Sequence, residues 1–287
     1  MTHTIDVQTP HGPVSFFYCI STPTNEDSDS VNPALPTVLF LHAAWVPSTI
    51  FHPQFADPTL RRFNLVALDL LSHGRTQGAV PAVYGEREAA EDVNAFMDAL
   101  HLPPCTVFAL SMGTIIALRL ALSFPAKVNG LFLVSPLGGP EPEDVANGRI
   151  QVCDVWKEAY ASETVDREAL NDAIHGSLQL CWNSQSSMAS YRLITVTHPQ
   201  CLSHWPPSNF PALESTTVTF FTDRKGFTPE ELDKLKEVPI VLAPGSEDIA
   251  YPPEYFESFA KQLQGGKVTK YTVQGAPHYG STSHWEA

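Results

Sequence analysis

The stretch from Cys105 to Pro125, CTVFALSMGTIIALRLALSFP, constrains this chain more than any other. Thr106 to Leu110 is a short, almost wholly apolar run, the pattern of a parallel strand buried on both faces. Met112 to Phe124 is apolar nearly all round, with Arg119 its only charge, which fits a buried helix stopped by Pro125. No residues remain between the two for a loop. A strand that turns so abruptly into a helix strains its pivot residue and pushes that side chain out. Small residues two positions before and after the pivot, here Ala109 and Gly113, let strand and helix approach. Ser111 is the pivot, with a helix N-terminus behind it.

An A-x-S-x-G pentapeptide carries no chemistry by itself, since a serine near a helix start is commonly an N-cap. The strand and helix on either side make this one a nucleophile elbow. The rest of the chain supplies a matching frame. Ile5 and Val7 alternate with polar residues, and Val14 to Ile20 is strand-like, so the two form an antiparallel edge hairpin. The polar, acidic segment Ser21 to Pro33 reads as an exposed loop. Buried strands follow at Pro36 to Leu41, Phe63 to Leu70 and Val128 to Val134, and Glu86 to Leu100 is an amphipathic helix stopped by Pro103-Pro104. Strands alternating with helices predict an α/β fold with a mostly parallel sheet covered on both sides.

That rhythm breaks after Ser135-Pro136. Residues 137–237 show helical patterns without a buried strand pair, with Val152, Val155, Trp156 and Ala159 on one face and Leu170, Ala173, Ile174, Leu178 and Cys181 on another. This segment is rich in aromatic residues, among them Trp156, Trp182, Tyr191, Trp205, Phe220 and Phe221, and reads as a helical lid inserted between sheet strands. The core is then residues 1–136 and 238–287. It resumes with strand Pro239 to Ala243, helix Pro253 to Leu263 and strand Val268 to Val273.

Bulk properties narrow the function classes. A net charge of −14, with 17% charged residues and no basic cluster, makes nucleic acid and anionic membranes poor partners. The N-terminal residues lack the basic start and apolar core of a signal peptide, and no apolar run approaches the ~20 residues of a membrane span. Five widely spaced cysteines, never C-x-x-C, read as free thiols and point to the cytoplasm. No H-E-x-x-H, G-x-G-x-x-G or P-loop is present, so neither a metal nor a nucleotide cofactor is expected.

A serine hydroxyl is a weak nucleophile that needs a base within reach and a third group to orient that base. Residues just after parallel strands converge on one sheet edge. Ser111, Asp248 and His278 each follow a strand, in that chain order. With these residues in place the chain, from about residue 5 onward, resembles the α/β-hydrolases. The resemblance implies that Ser111 is the elbow nucleophile, that Asp248 is the acid of the Gly245-Ser246-Glu247-Asp248 turn, and that His278 is the base. Glu247 is the rival acid and His284 the rival base.

It further implies an oxyanion hole made by the backbone N–H groups of Met112 and of Ala44, in the His42-Ala43-Ala44 loop, with Ala43 or Trp45 as alternatives for the second donor. His73 and Arg75, in the turn Asp69 to Thr76, would organise that loop. The sequence departs from the family at Ala109 and Ala43, where glycines are usual. It has only nine residues after His278, where the family usually adds a helix packed on the sheet. The implied activity is cleavage of a small, apolar carboxylic ester or lactone, with Trp45, Trp156, Trp182 and Trp205 as candidate pocket walls. C–C bond hydrolysis or acyl transfer on the same triad, or a receptor-like protein with slow turnover, are the alternatives.

Overall fold

The computed structural model describes residues 3–183 and 197–280. Tyr191 and the terminal stretch with His284 lie outside the described residues. One nine-stranded sheet organises the molecule. β1 (His3–Thr9) and β2 (Gly12–Ser21) form the antiparallel edge hairpin, and β2 also runs antiparallel to β4 (Asn64–Leu68). Beyond β4 the sheet is parallel, in the order β3 (Thr37–Leu41), β6 (Cys105–Leu110), β7 (Val128–Val134), β8 (Ile240–Ala243) and β9 (Val268–Lys270). A two-residue strand, β5 (Gln77–Gly78), pairs with β2 and has no signal in the sequence.

Strand ends differ from the expected ones where another acceptor claims the backbone. The Asp69 N–H still bonds Phe17 O in register with β2, but the Leu70 N–H goes to the imidazole of His42, and β4 ends at Leu68. β8 starts at Ile240 because Pro239 has no N–H, although its carbonyl still accepts from Leu131. β9 ends early, yet Tyr271 and Val273 continue to bond Leu242 and Pro244, so the chain stays against the sheet as far as Val273.

One face of the sheet is covered by long helices. α2 (Glu86–Ala99) buries Ala89, Ala90, Val93, Phe96 and Met97, and α3 (Met112–Ser123) lies between it and β3, β6 and β7. The other face is covered by short pieces, including α1 (His52–Ala56), and keeps an apolar groove of about 340 Å³. Phe40, Phe108 and Phe132 line that groove, in register across three parallel strands with ring centroids 5.0 and 5.2 Å apart.

Between β7 and β8 the chain leaves the sheet for a helical insertion. α4 (Glu143–Ala159) and α5 (Arg167–Trp182) pack on each other, and the Asp166 carboxylate caps α5 through the N–H groups of Glu168 and Ala169. α6 (residues 197–204) follows. α7 (Phe210–Glu214) runs through a π-helical turn into α8 (Phe220–Thr222), and α9 (Pro229–Asp233) completes the insertion. α10 (Pro253–Gln262) connects β8 to β9. No described helix is long and apolar enough to cross a membrane, and all five cysteines are free.

Candidate active site

The parallel strands end on one edge, and four non-glycine residues beyond their ends have positive φ: Trp45 after β3, Ser72 after β4, Ser111 after β6 and Ser135 after β7. Such conformations cost of order 1–3 kcal/mol each and persist where the surroundings over-determine them. Ser111 has φ 49° and ψ −113°, the strained pivot that the abrupt strand-to-helix junction demands. Its N–H is taken by Val134 O, and its carbonyl accepts from both the N–H and the hydroxyl of Thr114. The backbone of Ser111 is therefore committed, and its hydroxyl is left for chemistry.

That hydroxyl lies 2.7 Å from His278 Nε2, and His278 Nδ1 lies 2.6 Å from Asp248 Oδ2. A carboxylate can only accept, so Nδ1 carries the proton and Nε2 is the acceptor for the Ser111 O–H. The other oxygen of Asp248 accepts from the N–H groups of Ala250 and Tyr251, at 3.1 and 2.9 Å, which aims Oδ2 at the imidazole. Ser135 Oγ donates to the His278 carbonyl at 2.6 Å. Ser111, His278 and Asp248 are all buried. Glu247, the rival acid, is exposed, whereas its neighbour Asp248 reaches the histidine.

The loop after β3 is held by its carbonyls. His42 Nδ1 donates to Ala43 O at 2.8 Å, the Tyr279 hydroxyl to Ala44 O at 2.7 Å, and the Cys201 thiol to Trp45 O at 3.3 Å. In a planar trans peptide the N–H points opposite to the C=O, so the bond from His42 also fixes the direction of the Ala44 N–H. His42 Nε2 in turn accepts from Leu70 N. Burial lowers the His42 pKa to about 4 and that of His73, 5.1 Å away ring to ring, to about 3, so both are neutral supports. Asp69 ties the neighbouring turn together, accepting from the N–H and hydroxyl of Ser48 and from the Arg75 N–H. This agrees with an organising role for the segment, with Asp69 as its centre.

The insertion contributes rings and charges. Trp182 packs edge-on against Tyr279, and Trp205 packs against His73 and donates from Nε1 to Ser72 Oγ. Trp156 sits behind Trp205, with ring centroids 6.1 Å apart. The Trp45 ring has the Arg149 guanidinium 4.9 Å from its centroid, and the same guanidinium lies 3.6 Å from the Phe221 centroid. Glu141 bonds Arg149 Nε at 2.7 Å and Arg224 Nη2 at 3.1 Å, with all three side chains at most 4% exposed. Burial alone would raise the Glu141 pKa, but the two guanidiniums outweigh it and hold the carboxyl below its usual range.

Sequence reading missed this ion cluster and the residue that joins it to the triad, Tyr251. A signal was present: Arg149 occupies the apolar stripe of α4, in line with Val145, Cys153 and Trp156, where a buried charge needs a partner. Among the described residues no group of three or more His, Cys, Asp or Glu side chains is arranged to hold a metal ion.

A doubly covered parallel sheet with a strained serine elbow and a hydrogen-bonded Ser–His–Asp chain at its edge defines an α/β-hydrolase architecture. The sequence profile of the α/β-hydrolase fold matches residues 36–282, and the chain belongs to that family. The esterase of Thermogutta terrifontis superposes with a TM-score of 0.77 at 17% identity, covering 99% of this chain and 94% of that one. The enol-lactonase of Burkholderia xenovorans superposes with a TM-score of 0.75 at 14% identity, over 98% and 95% of the two chains. By sequence, BODYGUARD 2 of Arabidopsis thaliana, named a probable lysophospholipase, is 30% identical over 135 residues, 42% of this chain and 28% of that one. The chain thus spans less than a third of the length of that relative.

Proposed function

We propose that this protein is a serine hydrolase of small, apolar carboxylic esters or lactones, working through an acyl-enzyme. The observation that carries the reading is the 2.7 Å contact between Ser111 Oγ and a His278 whose other nitrogen is held by buried Asp248. Ser111 Oγ attacks the carbonyl carbon while its proton passes to Nε2. The resulting oxyanion is received by the N–H groups of Ala44 and Met112. Met112 is the first residue of α3, and the pinned carbonyls of Ala43 and Ala44 leave the Ala44 N–H directed away from His42. Collapse of this intermediate expels the alkoxide, which takes the proton from Nε2. Water, deprotonated by Nε2, then releases the acid and restores Ser111.

The insertion serves as the lid of this site, and the rings of Trp45 and Trp182 support an apolar substrate. Trp205, packed against His73 and Trp156, extends the aromatic packing of the insertion. Ester and lactone bonds are also those named for the esterase and the enol-lactonase of similar fold. Incubation with a fluorophosphonate tests the mechanism: the expected result is a single adduct on Ser111 and loss of p-nitrophenyl ester and lactone turnover. Turnover that survives complete labelling would refute it.

A further inference from the structure

Tyr251 meets three parts of the site at once. Its backbone N–H holds Asp248 Oδ1 at 2.9 Å. Its ring lies nearly flat on the His278 imidazole, with centroids 4.8 Å apart and planes 30° apart. Its hydroxyl donates to Glu141 Oε1 at 2.8 Å and accepts from Arg149 Nη2 at 3.2 Å. We propose that Tyr251 is a positioning residue for hydrolysis, its ring fixing the plane of His278 and steadying the imidazolium, its hydroxyl moored to the ion cluster of the insertion.

The inference rests on His278 being the base. In that role the imidazole gains a positive charge when Ser111 attacks and again when water attacks, and the electron-rich face of an aromatic ring favours that charge. The titratable groups around the imidazole are Asp248 at Nδ1, Ser111 at Nε2, and the rings of Tyr251 and Tyr279, the latter 5.4 Å away. The Arg149 charge is bonded to the far end of the phenol rather than to the imidazole. Phenylalanine would give the same stack. The hydroxyl is explained by Glu141, whose two oxygens are also held by Arg149 and by Arg224. Arg224 in turn bonds the carbonyls of Leu137 and Gly139 at the start of the insertion. A displaced insertion would therefore tilt the ring that lies on the base.

Replacing Tyr251 by Leu, by Met and by Phe separates these roles. Leu and Met remove the aromatic face, and kcat is expected to fall about tenfold with KM within about twofold of wild type. The pH midpoint of the rising limb of activity should move down, because the imidazolium loses the ring face that favours its charge. NMR titration of the His278 imidazole should show the same displacement, whether or not the protein turns over substrate. Phe should keep the midpoint and lose thermal stability. An imidazole midpoint unchanged in both aliphatic variants, or moved equally by Phe, overturns the proposal, and Met stands in should the Leu variant not fold. Failure of the hydrolase reading would show separately, as a wild-type Ser111 that takes no fluorophosphonate.

Discussion

The sheet edge and the helical insertion build the two halves of the site by different means. At the edge, each chemical group sits within a few residues of a strand end, and its supports are His42, His73, Thr114 and backbone hydrogen bonds, with the Asp69 carboxyl as the one acidic support among them. In the insertion the support is a cluster of buried charges, Glu141 with Arg149 and Arg224, clasped between aromatic rings. Neutral supports hold geometry at little cost in desolvation, and strand register does the placing. A segment without a sheet must obtain its fixed shape from a few directional contacts, and buried ion pairs are directional at the expense of desolvation. On the proposed mechanism, chemistry belongs to the edge and seating to the insertion.

The most severe break in that division comes from Ser111→Ala. It is expected to lower kcat/KM for esters by at least about 10³-fold while leaving thermal unfolding and circular dichroism as in wild type. Asp248→Asn, also on the edge, should cost about 10³- to 10⁴-fold by favouring the wrong histidine tautomer, as the analogous change does in serine proteases. Glu247→Gln, one residue away and exposed, should be nearly silent in the same steady-state assay.

On the insertion side, Glu141→Gln leaves two guanidiniums buried without their carboxylate. A loss of about 3–5 kcal/mol is expected in urea unfolding. Urea curves that match wild type would mean that the charges are not a structural support.

The neutral supports make a prediction of opposite character. His42 and His73 titrate at about 4 and about 3 in the folded protein, against an ordinary value of 6.5 that the unfolded chain retains. Below pH 6.5 the unfolded chain takes up protons that the folded one refuses. Stability should thus be complete above pH 6.5 and decline by a few kcal/mol towards pH 4. His42→Asn should flatten that slope in urea midpoints measured from pH 7 to 4. Trp205→Phe, which removes the bond from Nε1 to Ser72 together with part of a fully buried ring, should cost about 1–3 kcal/mol, less than Glu141→Gln.

What could be read in advance follows the same division. The elbow was legible because a buried strand, a buried helix and the lack of a loop between them leave Ser111 no ordinary conformation. Spacing alone left Asp248 and Glu247 open. In the structure the N–H groups of Ala250 and Tyr251 hold one Asp248 oxygen and turn the other to His278, while Glu247 is exposed. The insertion was legible only as helices. Its ion cluster joins Glu141, Arg149 and Arg224, with Tyr251 beyond the next strand, and no periodicity links residues so far apart in the chain. The end of β4 was misplaced by two residues because a side chain, His42, takes the Leu70 N–H that a ladder would have used.

Gly113, two residues past the nucleophile, shows how narrow the tolerances of the edge are. A Cβ there would stand 2.3 Å from Leu41 O and 2.9 Å from His42 O, the carbonyls that lead into the Ala43-Ala44 loop. The gap between the serine's helix and the facing loop is thus the width of one missing carbon. The position behaves as a spacer of zero thickness: any substituent becomes a shim driven between the helix start and the loop whose N–H groups the proposed mechanism closes on one oxygen. Substitution at this joint has no room to spare.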